Sequence, residues 1–430
     1  MPLLFEASVS RTIAKGGNAL TSEEVLDSGH AVAITLTPIT VTEASASATP
    51  APIKIALISS LTGAAASEFS TSAQGFNARI ALQNAMGGVN GHKIGGIVID
   101  DQTSPSSDPT AVQDAVSKGV TGIVSVSPLF FLGAKYAQQA GIPVTGGFFD
   151  GPEWGEQPYT NMFASDAGSV DPKYPVSSLY GNIVRKYGGT VVGSYGYGIS
   201  PSAVRSATGF AESSQRQGLK VGVLDVSVPY GSVDFSTEAL AAKQKGVNVI
   251  WTSMDDNSDF ALVTAMEQAG VKLKTIILPT GYEPSVVSSP AWHDLQGAYF
   301  FSGFRPLILP NAGTRQMAAA LQKYEHRAPS DFPTYDIYQS WVGADLMIKG
   351  LELAGKNPTS AGVIKALRGV KSYDADGLLP TPLDYATNFG HDEKKNCQWI
   401  LQAKKSGFVL TSTQPVCGSD IPGTSTGSSS

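Results

Sequence analysis

Charge, cysteine and histidine are scarce in this sequence, and each shortage closes off a class of function. Asp, Glu, Lys and Arg make up 15% of the 430 residues, with a formal net charge of −6. No basic run could neutralise a line of phosphates, which excludes nucleic acid as the main partner. The five histidines, at 30, 92, 293, 326 and 391, have no second His or Cys at ligand spacing, so no metal site is expected. The two cysteines, Cys397 and Cys417, match no metal-binding pair either. No apolar run is long enough to span a bilayer; Ala31 to Val41 is too short. Catalytic signatures are missing too. Gly198-Ile199-Ser200-Pro201-Ser202 lacks the closing glycine of a nucleophile elbow. The glycines from Gly193 to Gly198 are in the wrong order for a dinucleotide loop, and no Walker-type lysine loop occurs. The expectation is therefore a protein without cofactor that is not an enzyme. An α/β enzyme with catalytic groups far apart in the chain stays open as the alternative.

What is present is alternation. Residues 53–105 read as strand, small-residue turn, helix, Gly-Gly turn and strand. Ile53 to Ile58 is apolar on both faces apart from Lys54, which suits a central parallel strand. Phe69, Ala73, Phe76 and Ile80 form one helical stripe, which Gly87-Gly88 stops. Ile94 to Ile99 is the second strand, with Asp100-Asp101 at its end. Asp108-Pro109 predicts a capped helix start, and Gly122 to Ser127 a third strand. Phe130 to Ala140 reads as a helix, and Ile142 to Thr145 as a fourth strand. Residues 150–175 read as a long connection. From Val176 a second alternating series repeats the design, ending at a return strand, Ala298 to Ser302. Helices follow over 313–326, 335–354 and 359–368. Leu383 to Tyr385, Gln398 to Leu401 and Phe408 to Thr411 predict a closing β meander. Two such series in 430 residues predict two parallel-sheet lobes with a cleft between them.

SSLTGAAA, GGVNGHKI and IDDQTSPSSDP, in that order, resemble the opening of the branched-chain-amino-acid-type solute-binding proteins of ABC transporters. Ser60 stands where that family usually has proline, and Met86 intrudes before the glycine pair. The resemblance implies the type I periplasmic binding protein fold: α/β, two doubly wound parallel-sheet lobes joined by a three-segment hinge. Lobe 1 is expected over 53–170 plus 303–380 and lobe 2 over 171–302 plus 381–417. Residues 1–52 would be a signal or linker segment and 418–430 a flexible tail. It also implies a receptor that binds a small-molecule ligand by hinge closure, docks on an ABC permease, and works as an exported monomer in the periplasm or outside the cell. A ligand sensor of the same fold is the alternative within binding proteins. Export favours one disulfide, Cys397 to Cys417, over two free thiols. Ala31 to Val41 would then be a signal-peptide core and Ala46-Ser47-Ala48 its cleavage site, although Glu23, Glu24 and Asp27 are unusual before such a core. A disordered Ala/Ser/Pro linker is the other reading. No cysteine lies near the start, so no lipid anchor is expected there.

In open α/β sheets, ligands bind past the carboxyl ends of strands. That rule and the resemblance place Ala65, Ala66, Ser127, Phe149 and Asp150 at the cleft from lobe 1. Tyr197, Ser200, Met254, Asp255 and Tyr282 come from lobe 2. By resemblance, the Ser127 hydroxyl would hold a ligand carboxylate, and Asp255 or Asp256 its ammonium; Glu283 is a further candidate. Each has a plainer reading. Ser127 could cap the turn after it, Phe149 could be core, Ser200-Pro201 could start a helix, and Asp255, Asp256 and Asp259 could favour a helix dipole. Asp100-Asp101 reads as structural. Leu129, Phe130 and Phe131 suggest an apolar pocket. The expected ligand thus carries a carboxylate on a hydrophobic body: a branched-chain or other hydrophobic amino acid, or an aromatic or alicyclic acid lacking an amine.

Overall fold

Ile53–Ser59 forms the first strand, β1, and Lys54 is its only exposed residue, as a strand covered on both faces must be. The computed structural model describes residues 50–147, 152–154, 157–165, 175–387 and 396–424. The expected signal core and cleavage site lie outside these residues. β1 pairs in parallel with β2 (Ile94–Asp100) on one side and β3 (Gly122–Val126) on the other, so Leu57 sits between Val98 and Val124. β4 (Val144–Gly146) and β5 (Met162–Ala164) complete a five-stranded sheet ordered β2-β1-β3-β4-β5. Apolar clusters cover both faces, one around Leu57, Phe76 and Trp341, the other around Ile58, Val112 and Trp154.

The second sheet holds β6 (Val191–Tyr197), β7 (Lys220–Val228), β8 (Val249–Ser253), β9 (Thr275–Leu278) and β10 (Tyr299–Ser302). After β10 the chain returns to the first sheet, which receives the helices Ala312–Glu325, Tyr335–Leu353 and Ser360–Leu367. It then re-enters the second sheet as β11 (Cys397–Lys404) and β12 (Gly407–Leu410), with the short β13 (Val416–Cys417) beside β11. The order is β12-β11-β10-β9-β8-β6-β7, with β11 antiparallel to β10. The chain therefore passes between the sheets three times, after β5, after β10 and before β11. The helices Ser72–Ala85 and Tyr335–Leu353 cross where only glycine fits, since a Cβ on Gly75 would fall 2.2 Å from the Ile337 carbonyl oxygen.

Several local expectations change. The stripe from Phe69 is not one helix but a turn, Ala66–Phe69, and a helix, Ser72–Ala85. The break has a cause: the Thr71 amide and the Thr71 and Ser72 hydroxyls donate to the buried Asp336 carboxylate. Asp108 does not cap its helix, which runs Ser107–Ser117; its carboxyl packs against Gly133. The helix expected over 130–140 is a 3-10 turn, Phe130–Leu132, followed by Ala134–Gln139. β5 lies in the stretch read as connection. Leu383 makes only a single bridge to Tyr373, so the closing meander is β11, β12 and β13.

Cys397 and Cys417 stand opposite one another across β11 and β13 and are joined by a disulfide. Residues 418–424, expected as free tail, are held. Ser178 N donates to Ser419 O at 2.8 Å, Ile421 N to Val176 O at 2.9 Å, and Val176 N to the buried Thr424 hydroxyl at 2.9 Å. Among the described residues, no helix is long and apolar enough to cross a membrane.

Candidate binding cleft

The carboxyl ends of β1 and β2 bring small hydroxyls to a buried acid. Ser60 donates to Asp101 Oδ1 at 2.6 Å and the Thr103 amide to the same oxygen at 2.8 Å. Ser127 follows β3. Its hydroxyl accepts from the Leu129 amide at 3.1 Å and lies close enough to Asp101 to ease that group's charge. Burial still holds the Asp101 carboxyl above its usual range. Ala65 is buried, its amide donating to Thr103 Oγ1 at 3.1 Å. Ala66 begins the turn that carries Glu68. Phe149 and Asp150 lie outside the described residues.

The opposite wall starts at the end of β6. Tyr197 donates its phenolic hydrogen to Asp255 and also bonds Ser258 Oγ at 2.6 Å. Asp255 caps the helix Asp256–Gln268, accepting from Asn257 N at 3.0 Å and Ser258 N at 3.2 Å. Ser200 caps the helix Pro201–Arg216, accepting from Ala203 N at 3.2 Å. Met254 is buried in the core of this lobe. Tyr282 stacks on Phe332 with ring centroids 4.6 Å apart, and Phe332 leads into a helix of the first lobe.

Two residues not foreseen join the walls. Tyr230, in the loop after β7, packs against the apolar cores of both lobes, and its ring lies 4.3 Å from that of Tyr197. Next to it, a Cβ on Gly231 would come within 3.3 Å of Ala64 Cβ, so the lobes meet closely there. Glu68, half-buried, reaches across from the first lobe. Burial pushes its carboxyl well above the usual range, and Asp255, Asp259, Asp336 and Glu283 push it further. Tyr230 is raised by burial, then by Glu68, Asp255, Tyr197 and Asp101, so it senses acids of both lobes. The sequence carried a faint signal for each. Glu68 is the lone acid in a run of small residues after a strand. Tyr230 sits in Pro-Tyr-Gly-Ser, a turn after a strand.

The cleft is therefore acidic. Asp256 is raised by burial and by Glu283, with which it shares a hydrogen bond between carboxyls, and then by Glu68. Asp259 is raised by burial first and by Asp255, with the Thr252 and Thr280 hydroxyls easing its charge. Asp336 is pushed up to about 6 by burial, against hydrogen bonds from Thr334 and Thr71. Among the described residues, none of these acids has an ion-pair partner. Away from the cleft, Glu267, His293 and Asp294 could bring three ligand atoms together, but His293 is 87% exposed and nothing there points to an ion.

Known proteins give this geometry its context. The family model described as periplasmic binding protein matches residues 52–407. No curated protein matches the chain in sequence. Solved structures share the fold, among them these three. The fatty acid ABC transporter substrate-binding protein from Thermomonospora curvata superposes with a TM-score of 0.69 at 19% identity, covering 86% of this chain and 93% of that one. An R. palustris solute-binding protein in complex with benzoate gives 0.68 at 14%, covering 87% and 98%. A branched-chain amino acid ABC transporter protein from Thermus thermophilus with bound valine gives 0.70 at 15%, covering 85% and 96%. At these identities the likeness is one of fold.

Proposed function

The chain belongs to the periplasmic binding protein family, and from that membership we propose that it is the exported solute-binding receptor of an ABC importer. It takes a small solute between its lobes, closes by hinge motion and presents the closed form to a permease, acting as a monomer without chemistry of its own. The observation that carries this reading is Tyr230, which belongs to the second lobe yet packs on the cores of both. Tyr197 lies against it and the acids Glu68 and Asp255 act on it, and in this reading Ser127 and Tyr282 extend the two walls. Similar folds carry valine and benzoate. Of these two chemistries, a solute with an amine suits the cleft, since an acid without one would set its carboxylate among Glu68, Asp255 and Asp259.

Mass spectrometry of small molecules released from purified protein tests the reading, together with small-angle scattering before and after the solute is restored. One solute per chain, recovered unchanged, and a smaller radius of gyration on rebinding are expected. Recovery of a converted solute would favour an enzyme.

A further inference from the structure

Resting on the receptor reading, we propose that Phe332 is a latch: carried on a braced strap of the first lobe, it seats against rings of the second and holds the lobes together before as well as after the solute enters. Its ring stacks on Tyr282 with centroids 4.6 Å apart and planes inclined by 18°, and it meets Phe408 edge-on at 6.0 Å and 89°. Both contacts lie in the range where aromatic pairs attract. The seat is built by the second lobe alone. Phe408 stands edge-on to Tyr282 at 5.1 Å, to Trp292 at 5.0 Å and to Phe300 at 5.0 Å, and all four belong to that lobe's apolar cluster.

The strap is residues 326–334, between the helices Ala312–Glu325 and Tyr335–Leu353 of the first lobe. One side chain braces it. Arg327 donates to the Phe332 carbonyl oxygen at 3.1 Å and to the Asp331 carbonyl oxygen at 3.4 Å, pairs with the Asp331 carboxylate at 3.0 Å, and reaches Gln74 Oε1 on the helix Ser72–Ala85 at 2.8 Å. At the far end Thr334 shares a 2.9 Å hydrogen bond with Thr71 and donates to the buried Asp336. The strap is thus fixed to the first lobe at both ends, and little ordering is needed to seat the ring. Neither Phe332 nor Tyr282 lies in a segment that passes between the sheets, so the stack parts when hinge rotation opens the lobes. Tyr282, expected to touch the solute, therefore spends a ring face on the other lobe. A contact made only in the closed form raises the population of that form, whatever the solute.

The test compares the parent with Phe332→Ala, with Phe332→Tyr, which keeps the ring, and with Arg327→Met, which frees the strap and leaves the ring in place. Each full chain is unfolded and refolded to remove retained solute. Small-angle scattering of the empty chains reads the opening of the lobes, and stopped-flow mixing with leucine and with benzoate reads the rates. The empty Phe332→Ala chain is expected to have a larger radius of gyration than the parent, Arg327→Met a smaller change in the same direction, and Phe332→Tyr none. A probe that the parent binds should leave Phe332→Ala at least about threefold faster and enter it no more slowly, a split that a loss of folded protein would not produce. An empty Phe332→Ala chain as compact as the parent, or an unchanged dissociation rate, would overturn the latch and leave the receptor reading standing. If that variant does not fold, Arg327→Met decides by the same two measurements. Binding of neither probe leaves the scattering to decide the latch; joined to a native protein that retains no solute, it would count against the receptor reading itself.

Discussion

The rings of Tyr197 and Tyr230 lie 4.3 Å apart between centroids, inclined by 33°. Tyr197 ends a strand of the second lobe and anchors Asp255; Tyr230 touches the cores of both lobes. The pair thus ties the acid-bearing wall to the contact that exists only when the lobes are together. Tyr230→Ala removes that contact without emptying either core. Solute affinity should fall by a factor of ten or more, with about 1–2 kcal/mol lost from stability, since the ring is only half-buried. Tyr230→Phe, which keeps the ring, should bind nearly as the parent does. Calorimetric titration and thermal unfolding of the two variants check this.

Closure should respond to pH. Glu68 is raised by burial and by acids across the cleft, Asp255, Asp259 and Glu283; the cross-cleft pressure disappears when the lobes part. The closed empty form therefore holds more protons than the open one, and by linkage a falling pH favours closure of the empty protein. Small-angle scattering of the empty protein at about pH 5 and about pH 8 should show the more compact form at the lower value. An empty protein no more compact at the lower pH would contradict this account.

The parallel strands were legible because period and composition report burial directly: Ile53 to Ile58 is apolar on both faces, and so it is central. Asp255 and Tyr282 are candidates because each follows a strand end, and Tyr197 because it ends one. Glu68 could not be picked out, because its role depends on what a lobe more than a hundred residues away brings opposite it. The break before Ser72 was hidden for the same reason, since Asp336, far along the chain, takes the hydrogen bonds that end the turn. β5 has only three residues, too few for alternation to show, and it is a strand because β4 offers a parallel edge.

The disulfide fixes more than one strand. Cys397 begins β11, and Cys417 is followed at once by the segment that bonds Ser178 and Val176 at the start of the second lobe. Cys397→Ser with Cys417→Ser should cost about 3 kcal/mol, as expected from opening a loop of this length. Residues 418–424 should then exchange their amide hydrogens faster, and so should Val176. Denaturant unfolding and hydrogen exchange measure both. Unchanged protection at Val176 would mean that the tail holds without the bridge.

Asp108 gives a stability prediction with a defined window. Its carboxyl is buried against Gly133, and its pKa is pushed from the ordinary 3.8 to about 8, by burial first and by the charge of Asp101 next. Between these two values the folded chain holds a proton that the unfolded chain has released. Stability therefore falls as pH rises from about 4 to about 8. Above that range the folded state carries a buried, unpaired charge. Asp108→Asn removes the ionisation and keeps the shape. At about pH 4 variant and parent should differ little; at about pH 8 the variant should be more stable by at least about 1 kcal/mol, one pKa unit being worth about 1.4 kcal/mol. Denaturant melts at the two pH values decide it: a variant less stable at the higher pH would mean that the charged carboxylate is held by interactions that Asn cannot replace.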